Sequence, residues 1–140
     1  MQPPLEWTTA DLVFLPQFDA DHQTLFARAE TVRLALTTPA VAHQVVFDVF
    51  RLAKSFSVHA KDEEKCMRQS RYPGRQWHEH QHQAGRHKMA RLLKAARGRT
   101  DQSVADALEE FTSWLRDHVN LADRMFAAHF RNNRRERLAS

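Results

Sequence analysis

Apolar residues recur at alternating intervals of three and four in four successive stretches of this 140-residue chain, a spacing that dictates helices with one apolar face each. The first stretch runs from Phe18 to Leu36, through His22, Leu25, Ala29 and Val32. The second follows Thr37-Thr38-Pro39, where Thr38 suits an N-cap and Pro39 the first helical position. Its stripe is Val45, Val49, Leu52, Phe56, His59, Glu63 and Cys66, and Tyr72-Pro73-Gly74 stops it. The third, Arg75 to Gly98, carries His78, His82, Gly85, Met89, Leu92 and Ala96. The fourth opens at Thr100-Asp101 and runs to about Phe130, with Val104, Leu108, Phe111, Leu115, His118, Ala122 and Met125 on its stripe. Short connections make consecutive helices antiparallel neighbours. The expected fold is therefore all-α, an antiparallel up-down-up-down four-helix bundle forming one domain over residues 1–140. Residues 1–17 read as an N-terminal arm, held down by Trp7, Leu12, Phe14 and Leu15, and residues 131–140 as a basic tail.

Composition narrows the class. Three Gly and five Pro leave little scope for the many tight turns of a sheet protein. One cysteine, Cys66, makes no internal disulfide and gives no sign of an oxidising compartment. The N-terminus lacks a basic start followed by an apolar core, and no apolar run reaches spanning length, so a cytoplasmic location and no membrane partner are expected. The net charge of +4 draws on Arg131, Arg134, Arg135 and Arg137. No aromatics interleave them, so they read as a solvated helix end, and no nucleic-acid partner is expected.

The stripes contain residues foreign to a core: His22, His59, Glu63, His78, His82 and His118. Burying even one neutral polar group without a partner costs about 2–7 kcal/mol. Six such groups must satisfy one another or bind metal. His59 and Glu63 stand four apart on one helix face, and His78 and His82 four apart on another. Imidazole with carboxylate suits iron, zinc, manganese or copper, whereas a Cys₂ or Cys₄ pattern is missing. The donors are too many for one ion and fit two. The other histidines, His43, His80, His87 and His129, read as surface or ordinary core residues.

At this point a family resemblance emerges. Asp19-x₂-His22, His59-x₃-Glu63-Glu64-x₂-Met67, Tyr72-Pro73-x₄-His78-x₃-His82 and Trp114-Leu115-x₂-His118-x₄-Asp123 together resemble the hemerythrins, most closely their bacterial single-domain branch. The resemblance covers the chain from about Trp7 to Phe126. It implies two Fe ions with a bridging oxo or hydroxo group, His78, His82 and His118 on one iron, His22 and His59 on the other, and Glu63 and Asp123 bridging both. Five imidazoles, two bridging carboxylates and a bridging oxygen leave one position open on a six-coordinate pair, on the two-histidine iron. The implied function is reversible O₂ binding for storage, delivery or sensing, without catalysis; another small diatomic or an anion is a further possible ligand. The alternative is a di-iron enzyme that reduces peroxide or NO, or oxidises a small substrate.

By the same resemblance, Leu25, Ala60, Gly85, Trp114, Leu115 and Val119 line the O₂ pocket. Ala60 and Gly85 depart from the family, which often has Phe at both positions. The expectation is an enlarged, water-accessible pocket and fast autoxidation, unless Met89, Trp77 or the arm fills the space. One local feature is also expected. His118 and Asp123 stand five apart, which on a regular helix separates them by about 140°. A π-type turn would bring them to one centre.

Overall fold

The computed structural model describes residues 5–38, 42–98 and 100–139, with side chains of residues 42 and 135–139 left aside. Four long helical runs follow one another: α1 (Pro16–Thr37), α2 (Ala42–Gln69), α3 (Arg75–Gly98), and a last run made of α4 (Asp101–His118), a π turn (Val119–Asp123) and α5 (Arg124–Ala139). No strand occurs among the described residues. Consecutive helices pack together and α1 also packs on α4, which closes the ring of a four-helix bundle. The connections are short, in keeping with the up-down order.

Helix boundaries follow local chemistry. The first helix starts two residues before Phe18, because Pro16 fits its first turn and the Leu15 carbonyl accepts from the Phe18 and Asp19 amides. The arm therefore ends at Leu15, not at residue 17. The proposed Pro39 start of the second helix lies outside the described residues. At the end of α2, the Tyr72 amide bonds to the Met67 carbonyl at 3.0 Å and the Arg71 amide to the Arg68 carbonyl at 3.2 Å. This is a Schellman ending, with Arg71 in the left-handed region at φ 54° where glycine is usual. The fourth run continues beyond Phe130, so most of the basic tail is helical, and the Arg131 guanidinium donates to the Val13 carbonyl. The side chains of Arg135 and Arg137 lie outside the described residues.

The stripes form the core as expected, from Phe18, Leu25, Ala29 and Val32 across to Val104, Leu108, Phe111 and Leu115. Two places differ. Met125 is 49% exposed and Phe126 is fully buried in its stead, because the π turn inserts one residue and shifts the phase of everything after it. In the arm, Val13 and Leu15 are buried and Trp7 packs at the edge, but Phe14 is 61% exposed, at φ 65°, beneath the Arg131 guanidinium. The arm is fastened by polar bonds as much as by apolar ones. Asp19 accepts from the Val13 amide at 2.8 Å, Arg124 donates to the Ala10 and Leu12 carbonyls, and Asn120 donates to Asp11 at 2.9 Å.

Candidate metal centre

All four helical runs send a polar side chain to one level of the core. His22 comes from α1, His59 and Glu63 from α2, His78 and His82 from α3, His118 from the end of α4, and Asp123 from the end of the π turn. Each is at most 5% exposed. The i,i+4 spacings in α2 and α3 set two donors one turn apart on the inward face. The expected π turn is present, and it swings Asp123 back beside His118, with Asp123 Oδ1 at 2.9 Å from His118 Nε2.

The two carboxylates divide their oxygens between two groups of histidines. Glu63 Oε1 lies 2.6 Å from His78 Nε2, 3.0 Å from His82 Nε2 and 4.0 Å from His118 Nε2, while Oε2 lies 3.8 Å from His59 Nε2. Asp123 Oδ1 lies 3.0 Å from His78 Nε2 and close to His118, while Oδ2 lies 3.0 Å from His22 Nε2. Two potential ion sites result, one from Glu63, His78, His82, His118 and Asp123, the other from His22, His59, Glu63 and Asp123. In each, one donor atom per residue lies within 4.8 Å of all the others.

These donors fit a metal better than they fit one another. His22 Nε2, His59 Nε2, His78 Nε2, His118 Nε2, Glu63 Oε2 and Asp123 Oδ1 are buried and make no directed hydrogen bond, although several lie within 3.0 Å of an opposite partner. Lone pairs that converge on a common point, rather than on each other's protons, are what a cation would satisfy; without one, so many unpaired groups would be prohibitive.

Outer partners orient two of the rings. His59 Nδ1 donates to Asp21 Oδ2 at 2.8 Å, and His82 Nδ1 to Glu64 Oε2 at 2.8 Å. A carboxylate can only accept, so both protons sit on Nδ1 and both Nε2 atoms face the centre as donors to metal. Arg86 in turn holds both Glu64 oxygens at 3.0 Å. Trp114 stacks on His118 with ring centroids 4.7 Å apart.

The charges follow. Burial drives the Glu64 carboxyl upward, but His82 and Arg86 outweigh it and hold it near 2. Burial drives His59 and His78 downward; Asp21, Glu63 and Asp123 more than reverse this, so that His59 rises to about 9 and His78 to about 10. Burial presses Glu63 and Asp123 upward, and the Asp123 charge adds to this at Glu63, yet the surrounding imidazoles keep both below the usual carboxylate range.

All seven expected ligand residues are thus brought together. His43, His80 and His87 are exposed, and His129 sits half-buried against Tyr72. Of the expected pocket residues, Leu25, Ala60, Gly85, Leu115 and Val119 are buried. The enlarged pocket at Gly85 is corrected: a Cβ there would overlap the six-membered ring of Trp114, so that ring already occupies the space. Met89 is buried but Trp77 is 43% exposed. Asp21 and Arg86 escaped the sequence reading, and Glu64 was seen only as part of a motif. Their roles depend on cross-helix neighbours, which no spacing along one chain reveals.

Fold and site together define a helical-bundle protein with a buried histidine–carboxylate centre for metal. The chain belongs to the hemerythrin family: the hemerythrin HHE cation-binding domain matches residues 13–130, and it is accordingly a metal-binding domain. A search among curated proteins gave no match. No helix among the described residues is long and apolar enough to cross a membrane.

Proposed function

We propose that the chain binds O₂ reversibly at a non-haem di-iron centre. The observation that carries this reading is the split of Glu63 and Asp123, each with one oxygen toward His78 or His118 and the other toward His22 or His59. Three imidazoles face one side of the carboxylate pair and two face the other, so the His22–His59 side is short of one donor. Imidazole and carboxylate donors suit iron, and two ferrous ions supply the electrons that O₂ binding requires.

The protein's own part is orientation and exclusion of water. Asp21 and Glu64 fix the tautomers of His59 and His82. Leu25, Ala60, Leu115 and Val119 are each at most 2% exposed, which is what an apolar surround for the centre requires, and Trp114 stacks on His118. A dry surround favours a small neutral ligand and slows its loss to solvent.

The test is anaerobic reconstitution with ferrous iron, metal analysis, then cycles of air and argon followed by absorption spectroscopy. Two irons per chain and a spectrum that returns under argon are expected. His118→Ala and Asp123→Ala should each fall well below that iron content. A single zinc per chain in the native protein would overturn the di-iron reading. Steady consumption of reductant, peroxide or NO, with no lasting O₂ adduct, would replace binding by catalysis.

A further inference from the structure

Outside the metal centre, an opening lies between α1 and α2. It has a volume of about 440 Å³ and is lined by Asp21, Thr24 and Arg28 from α1, and by residues from Phe47 to His59 of α2. The spacing explains it: positions 21, 24 and 28 make one stripe of α1, and 47, 51, 54, 55 and 58 make the facing stripe of α2. Three cations, Arg28, Arg51 and Lys54, converge on it, and none has an acidic partner among the described residues. Arg28 Nε is moreover buried without a hydrogen-bond partner. The nearby carboxylates are engaged elsewhere, Asp21 by His59 and Asp48 by Gln44.

Exposed apolar side chains stand at the two ends of the same α2 stripe. Phe47 is 56% exposed and Val58 is 52% exposed, and the Arg51 guanidinium lies 5.8 Å from the Phe47 ring centroid. Unpaired cations beside exposed apolar side chains in a concave site are the complement of one kind of ligand. We propose that this cleft binds a small organic anion, with its acid group among Arg28, Arg51 and Lys54 and its hydrocarbon part on Phe47. Asp21 and His59 also line the cleft, so an occupant lies over their hydrogen bond, on the outer side of the centre.

The test is calorimetric titration of the metal-loaded protein with octanoate, with n-octanol and inorganic phosphate as separate probes for the two halves of the ligand. Octanoate should bind saturably at one site per chain. An Arg51→Gln, Lys54→Gln double variant should weaken it at least about tenfold, the scale of one charge-assisted hydrogen bond, with unchanged metal content and helical circular dichroism. Phe47→Ser should weaken it too. Octanol and phosphate should each bind at least tenfold more weakly than octanoate, on the same scale of about one such bond. Absence of saturable octanoate binding, equal affinity in the double variant, or a probe that matches octanoate would overturn the proposal. The readout is heat of binding, so it stands or falls independently of which metal the centre takes.

Discussion

Gly85 is the residue whose meaning changes most between sequence and structure. Along the sequence it looks like a ring lost from a pocket. In space it is the notch that lets Trp114 lie flat against His118. Even alanine there forces the indole aside, and overfilling a packed site costs about 1–3 kcal/mol. Gly85→Ala should therefore lower the melting temperature and alter the near-UV circular dichroism of Trp114; an unchanged signal would show that the ring has other room. Arg71 is the opposite case. It holds a left-handed position without need of a side chain, beside an otherwise regular Schellman ending. Arg71→Gly should stabilise the protein by about 0.5–1 kcal/mol in denaturant titration, since glycine removes the Cβ penalty at φ 54°.

At the scale of elements, the π turn links sequence spacing to the metal site. It behaves as one extra residue in an otherwise α-helical run, and it accounts both for Asp123 beside His118 and for Phe126 buried where Met125 was expected. Leu121 is 57% exposed within it and contributes nothing to the core. Deleting Leu121 should return the run to a plain α-helix, with Asp123 four residues after His118 and still facing the centre. Metal content should be retained. An alanine inserted after Leu121 should instead rotate Asp123 and all of α5 by about 100° and abolish metal binding. Metal analysis of the two variants checks the argument, and equal loss in both would refute it.

For the molecule as a whole, the centre couples folding to protons. Without metal, His59 and His78 titrate at about 9 and 10, above their ordinary 6.5. A raised pKa gives stability that is fully present below 6.5 and is lost as pH climbs through 9 to 10. Metal requires the deprotonated rings, so its affinity should rise over the same interval and its binding should release protons. Thermal melts from roughly pH 6 to 10, across the histidine range, should fall for the metal-free protein and stay flatter for the loaded one. Glu64 behaves oppositely: held near 2, its contribution is present above 4.5 and disappears only as pH drops toward 2.

Much of this was written along the chain. The three-and-four spacing dictated four helices, because only one face of each can leave water, and it named the buried residues of α3 without error, whereas on α1 it missed Asp19 and Phe26 and included the half-buried Leu36. Six candidate ligands were legible for the same reason: histidine and carboxylate on an apolar stripe demand partners, and their intervals put them at one level; Asp123, off the stripe, entered only through the family resemblance. With both residues assigned to one centre by that resemblance, the His118–Asp123 interval implied the π turn. Tertiary structure alone decided what depends on distance between helices. It chose Asp21 as the partner of His59 and Glu64 with Arg86 as the partners of His82, it set Trp114 into the notch at Gly85, and it opened a cationic cleft between α1 and α2. Those pairings depend on how two helices are rotated and offset against each other, and periodicity within one helix carries no record of that rotation.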